Sequence, residues 1–229
     1  MDVNDLHEFE KLTILQKLQD LSLSGPSNRP LLYNVLEKIP SLRALHMTYF
    51  PGNFDLIADS CTQITQLILR SARNDTITHI TSIQKLTQLR MLKLVIERHV
   101  PPVDLDGLTH LKNLTQLVLQ GSNFNINVAR GDLTALTNLK TLLLKRVIVN
   151  NLRYSIAKLT NLENLRVMQL GGSRTNSVFE ECLGLTRLTS LHVDALSMKG
   201  NLHRMNELTQ LKALQVDVSG SDPDLKNYK

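Results

Sequence analysis

Tryptophan is absent from this sequence, and five Phe and four Tyr leave aromatics at 4% of its 229 residues. A core of packed rings is excluded, and little remains with which to stack on nucleic-acid bases. Two Cys cannot staple a disulfide scaffold. Ten Gly and seven Pro are too few for a collagen-like or low-complexity polymer. No window approaches 18 consecutive apolar residues, so no transmembrane helix is expected. The opening MDVNDLHEFEKL is acidic and lacks the basic flank and apolar stretch of a signal peptide. With so few Cys, the expected compartment is a reducing, cytoplasmic one.

Reactive constellations are equally scarce. None of the seven His pairs at a zinc-binding spacing, and neither HExxH nor CxxC occurs. Gly171-Gly172-Ser173 lacks the Gly-Lys-Ser/Thr that would make it a phosphate loop. No catalytic residue, cofactor or metal ligand is therefore expected, and the chain reads as a non-enzyme. Asn74-Asp75-Thr76 and Asn113-Leu114-Thr115 fit the glycosylation triplet, a match short enough to arise by chance. The net charge of +5 includes no long Lys/Arg block, which argues against a nucleic-acid groove.

What the sequence has is leucine: 45 of 229 residues. The segment LTALTNLKTLLL places Leu133, Leu136, Leu139, Leu142 and Leu144 at the spacing LxxLxxLxxLxL. The same five-slot pattern recurs nine times. Its fourth slot falls at Leu21, Leu45, Leu67, Leu92, Leu117, Leu142, Leu165, Leu191 and Leu214, at intervals of 22 to 26 residues. Every slot is apolar, with Ile, Val, Met, Ala or Cys where Leu is missing. Such a period signals a solenoid. The last three slots and their neighbours alternate as a short strand, whereas the LxxLxxL portion has the three-residue spacing of a tight helical turn.

This pattern resembles the leucine-rich repeat family, and the resemblance covers roughly residues 12 to 217. It implies an α/β solenoid, a horseshoe with a parallel sheet on its concave face and short helices or turns on its convex face. We read residues 1–229 as one domain of about nine repeats, with a polar tail at 219–229. The chain departs from the commonest family pattern five residues after each fourth-slot Leu. There an Asn or Cys is expected, but Pro26, Phe50, Ala72, Glu97, Ser122, Val147, Leu170, Leu196 and Ser219 stand instead. Irregular loops should follow the strands, among them residues 97–107, 121–132 and 171–177. A polar pair between turn and strand, as in Thr137-Asn138 and Thr160-Asn161, suits side-chain hydrogen bonds to turn backbone. Cys61 and Cys182 occupy core slots five coils apart, roughly 24 Å at ~4.8 Å per coil, and should be free buried thiols.

The outward strand positions form the surface that such folds present to partners. Around the middle coils they read Ile68, Arg70, Met91, Lys93, Val95, Val118, Leu143, Lys145, Arg166 and Met168. Apolar residues interleaved with one sign of charge mark a protein-binding patch, so all ten are candidate partner-binding residues, with the apolar ones expected to face solvent. His46 and His192 share an outward row and are expected at the surface. The resemblance implies a non-catalytic interaction module for a protein partner, acidic in character, without membrane or nucleic acid. Two alternatives stay open: a structural spacer within a larger receptor or effector protein, and a nucleic-acid binder. Similar domains occur in bacterial effectors, so delivery into a host cell is compatible with the cytoplasmic expectation.

Overall fold

The computed structural model describes residues 10–24, 30–50, 53–71, 80–96, 103–104, 106–127, 133–149, 156–168, 178–195 and 202–217. The tail at 219–229, the Asn74 triplet, Gly171–Ser177 and most of the loop beginning at Glu97 lie outside the described residues.

Nine parallel strands follow one another in chain order across a single sheet. They are β1 (Asp20–Leu23), β2 (Ala44–Phe50), β3 (Gln66–Ser71), β4 (Met91–Ile96), β6 (Gln116–Asn127), β7 (Thr141–Val149), β8 (Asn164–Met168), β9 (Ser190–Asp194) and β10 (Ala213–Asp217). The two-residue β5 (Val103–Asp104) pairs only with β6. Fourth-slot leucines face one another along the whole stack: Leu21 with Leu45, Leu45 with Leu67, and so on to Leu191 with Leu214. The repeat register is therefore the sheet register.

The opposite side of each coil is a short helix. Coils two, three and eight use α-helix: α1 (Pro30–Glu37), α2 (Phe54–Ser60) and α3 (Val178–Cys182). Asn53 starts α2 by accepting a hydrogen bond from Asp55 N on its side chain at 3.0 Å. Elsewhere, as in Ile80–Lys85 and Leu133–Ala135, the turn is a 3-10 helix. With three residues per turn, a 3-10 helix keeps LxxL leucines on one side, which is why that spacing and that helix coincide.

Successive coils hang on one another by a repeated backbone contact. Lys140 N and Thr141 N both donate to Thr115 O, at 2.8 and 3.0 Å, and the equivalent pair recurs from Arg43/Ala44 to Lys212/Ala213. Beside it runs an amide ladder. Asn113, Asn138 and Asn161 each donate Nδ2 to a carbonyl of the preceding coil, Thr87, Lys112 and Thr137, at 2.8–2.9 Å. Gln63 does the same toward Ile39 O at 3.2 Å. The polar pair thus has the structural role expected of it, carried by its second member. Asn113, the first residue of one glycosylation triplet, donates its amide to this ladder.

All five apolar slots are buried in each of the seven middle coils. The first and last described coils have a described neighbour on one side only, and there Leu15 stays 47% exposed and Leu214 38%. Buried Tyr33 on α1 has a hydroxyl with no hydrogen-bond partner among the described residues. Gly107 packs its helical turn so closely on the preceding one that a Cβ would stand 2.7 Å from Thr81 O. Backbone cannot yield there as a side chain would. Gly107→Ala should therefore cost about 1–3 kcal/mol, read from the midpoint of urea unfolding.

One expectation is corrected. The chain's departure from the family pattern predicts an irregular loop over residues 121–132, yet β6 continues to Asn127 and β7 to Val149. Phe124 pairs with Val147 and Ile126 with Val149, after a register shift in which three residues of β6 oppose one of β7. That one residue, Arg146, adopts φ 55°, a left-handed conformation that costs a side-chain-bearing residue about 1 kcal/mol. The kink lets Val147 turn into the core, where it is fully buried.

Candidate functional site

The outward residues of the strands line up as three rows, because parallel strands in matched register place equivalent side chains side by side at ~4.8 Å. The middle row runs Lys93, Val118, Leu143, Arg166, with each member paired to the next across β4, β6, β7 and β8. The row two residues further on brings Arg70 beside Val95, Val95 beside Gln120, and Lys145 beside Met168. Met91 lies beside Gln116 in the third row, and Ile68 beside Lys93 in the first. All ten sequence-selected residues therefore share one face of the sheet.

Their exposure differs from expectation in three cases. Val95 is 5% exposed, Val118 7% and Met168 5%, although all three were expected to face solvent. Val118 is a short side chain between Lys93 and Leu143, and Val95 one between Arg70 and Gln120, so their longer neighbours cover them. Met168 is covered by Arg166, whose Nε donates to its sulfur at 3.3 Å. Ile68, Met91, Lys93, Leu143 and Lys145 are half-buried, while Arg70 and Arg166 are exposed. The apolar component available to a partner is thus narrower than the sequence implied and centres on Leu143, with Ile68 and Met91 further along.

A second correction concerns His192. It was expected at the surface, but it is 6% exposed. It follows Arg166 in the middle row and lies between β8 and β10, opposite Gln215. Its Nε2 stands 3.2 Å from Asp217 Oδ2, within ion-pairing distance but without the alignment of a hydrogen bond. His46, in the same row, is half-buried.

The strands β7 to β10 enclose a concave groove of about 440 Å³. Its floor and walls include Leu143, Asn164, Arg166, Ser190, His192 and Gln215. Sequence reasoning placed the site's centre nearer β4 to β8 and did not single out the C-terminal part of this groove. The signal available was the run of small or polar outward residues Ser190, Ala213 and Gln215 beside the bulky Leu143 and Arg166, which leaves a hollow.

Electrostatically, the face is uneven. Lys93, Lys145 and Arg166 form no ion pair among the described residues. Two of them are half-buried, a position in which a cation loses hydration without a compensating charge. Asp194 and Asp217 lie on β9 and β10. Among the described residues no group of three or more His, Cys, Asp or Glu side chains is placed to hold a metal. Cys61 and Cys182 are buried free thiols, each pushed up to about 12 by burial, so neither is a nucleophile at neutral pH. No helix of the described residues is long and apolar enough to cross a membrane.

No protein-family model matches the sequence, and no curated protein does. Solved structures do. Internalin C2 from Listeria monocytogenes is 19% identical with a TM-score of 0.55, over 80% of this chain and 74% of that one. An internalin, inlF, from the same organism is 19% identical with a TM-score of 0.62, over 90% of this chain and 63% of that one. The Arabidopsis receptor kinase HAESA, solved in complex with the peptide hormone IDA and the co-receptor SERK1, is 15% identical with a TM-score of 0.59. That match covers 87% of this chain but only 34% of the other, so the chain spans about a third of its length. At these identities the likeness is one of fold, and the fold is the leucine-rich repeat solenoid.

Proposed function

We propose that this leucine-rich repeat chain is a non-catalytic recognition module that binds a protein partner, acidic and partly apolar, on the concave face of its sheet. The observation that carries this reading is Leu143, a half-buried leucine on an outward row, with Arg166 beside it and Lys93 and Lys145 near it without ion pairs among the described residues. A partner that laid an apolar side chain on Leu143 and carboxylates on the cations would complete both. The receptor kinase of the same fold was solved in complex with a peptide hormone and a co-receptor, which supports a peptide or protein as the kind of partner.

Affinity capture from native extract, with cross-links mapped on this chain, tests the reading. Leu143→Glu should reduce capture of the partner at least tenfold while the circular dichroism spectrum is unchanged, because a charge at a desolvated interface centre does more damage than one at the rim. Arg166→Glu should weaken binding and alter its salt dependence. Lys158→Glu, on the convex side, should do neither. Normal capture by Leu143→Glu together with loss in Lys158→Glu would place the partner on the convex surface.

The structural-spacer reading draws on the exposed Ile14, Leu15 and Leu214 of the end coils, which a further coil or a second copy would cover. Its second-copy form requires association at those ends. Light scattering that finds a monomer at tens of micromolar would set it aside.

A further inference from the structure

We infer that the concave face reads its partner by charge order: it takes an extended segment that crosses the strands with an acidic residue over β7–β8 and a basic residue over β10. This rests on the concave-face reading above and specifies what lies on it. The cations of the outward rows, Arg70, Lys93, Lys145 and Arg166, belong to β3, β4, β7 and β8, whereas Asp194 and Asp217 belong to β9 and β10. The groove of about 440 Å³ spans β7 to β10 with Arg166 in its lining, and Asp217 lies on β10 two positions beyond the lining residue Gln215. Its size suits a short stretch of chain, since pockets of 300–1,000 Å³ hold ligands of that order.

His192, buried in the groove's wall, has its Nε2 3.2 Å from Asp217 Oδ2 without hydrogen-bond alignment, and the Asp217 side chain remains 38% exposed. Arg166 is braced on the other side by its contact with the Met168 sulfur, and its remaining guanidinium N–H groups are available for a bidentate carboxylate contact. Leu143, next to Arg166 in the row, gives the segment its apolar foothold.

Spacing follows from elementary geometry. Lys145 and Arg166 are separated from Asp217 by two or three strand spacings, ~10–15 Å. An extended chain rises ~3.3 Å per residue, so the partner's acid and base should lie three to five positions apart, always in the same order.

The test is selection of a phage-displayed random dodecapeptide library on the intact chain, followed by titration of the synthetic consensus peptide. Enriched peptides should carry Asp or Glu three to five positions from Lys or Arg in one fixed order. The consensus peptide should lose at least tenfold in affinity with Arg166→Glu and with Asp217→Lys. Asp217→Asn, which keeps the side chain's shape beside His192, should lose less. The double variant Arg166→Glu/Asp217→Lys should prefer the peptide in which acid and base are exchanged. If affinity is lost in Leu143→Glu but is indifferent to Asp217→Lys, or if selected peptides show no fixed order, the charge-order inference falls while the concave reading stands. If affinity survives Leu143→Glu, both fall. A selection that yields no peptide dependent on Arg166 overturns the inference as well.

Discussion

Leu142→Ala should destabilise the protein by about 2–5 kcal/mol, and Leu139→Ala by a similar amount, measured as a fall in the urea midpoint. Both side chains are fully buried, at the strand and at the turn of the sixth coil. Each therefore packs against equivalent leucines of the coils before and after it: Leu142 lies opposite Leu117 on β6 and Leu165 on β8. Alanine removes those contacts and leaves a cavity that two rigid neighbours cannot collapse into. The same substitution at Leu214 supplies the control. That residue occupies the identical slot in the ninth coil, but with a described neighbour on one side only it is 38% exposed. Leu214→Ala should cost less than half as much. Equal losses at Leu142 and Leu214 would mean that coil stacking does not set the stability of a slot.

The contrast explains why so much of the fold could be read from the residues. A solenoid repeats one burial problem, so Leu133, Leu136, Leu139, Leu142 and Leu144 state the answer once and eight other segments restate it. Even the strand register followed, because matching slots are matching Cα partners. Where the chain broke its own period, legibility ended. Val147 comes five residues after Leu142, where the family pattern has an Asn or Cys and its replacement predicts an irregular loop, and instead enters the core after a left-handed Arg146. No count of slots anticipates such a kink. Its trace was the β-branched run Val147-Ile148-Val149 facing the alternation Asn123-Phe124-Asn125-Ile126, both of which read as strand once the loop assignment is dropped.

The candidate site was legible in membership and not in depth. Alternation along a strand says which residues point outward, and all ten selected residues do share one face. Exposure is a property of neighbours on other strands. Val118 disappears between Lys93 and Leu143, His192 between Arg166 and Gln215, and no single repeat contains that information. The groove has the same origin, since it arises where long outward side chains on β7 and β8 give way to short ones on β9 and β10.

Raising the pH from 9 to 12 should unfold the protein, and the buried thiols should account for much of the effect. Cys61 is pushed up to about 12 from 9.0 by burial. Cys182 reaches about 12 through burial and then through the charge of neighbouring Glu181, and its thiol donates to Val178 O at 3.1 Å. Tyr33, ordinarily at 10.0, is raised to about 12 by burial first and then by Cys61. In the unfolded chain these groups lose their protons near their ordinary values, whereas in the folded chain they hold them until about 12. Between pH 9 and 12 the unfolded state therefore binds fewer protons, and stability falls as pH rises. Below pH 8 both states are protonated and the contribution is complete. Within the window each group steepens the fall by up to about 1.4 kcal/mol per pH unit. Urea unfolding from pH 7 to 11 reads this directly, and Cys61→Ala/Cys182→Ala, although less stable at pH 7, should show a shallower decline than the parent. At pH 8 both thiols of the native protein should resist Ellman's reagent and react on unfolding. Rapid reaction of either thiol in the folded protein, or an alkaline slope unchanged in the double variant, would show that these cysteines are not sealed in the stack.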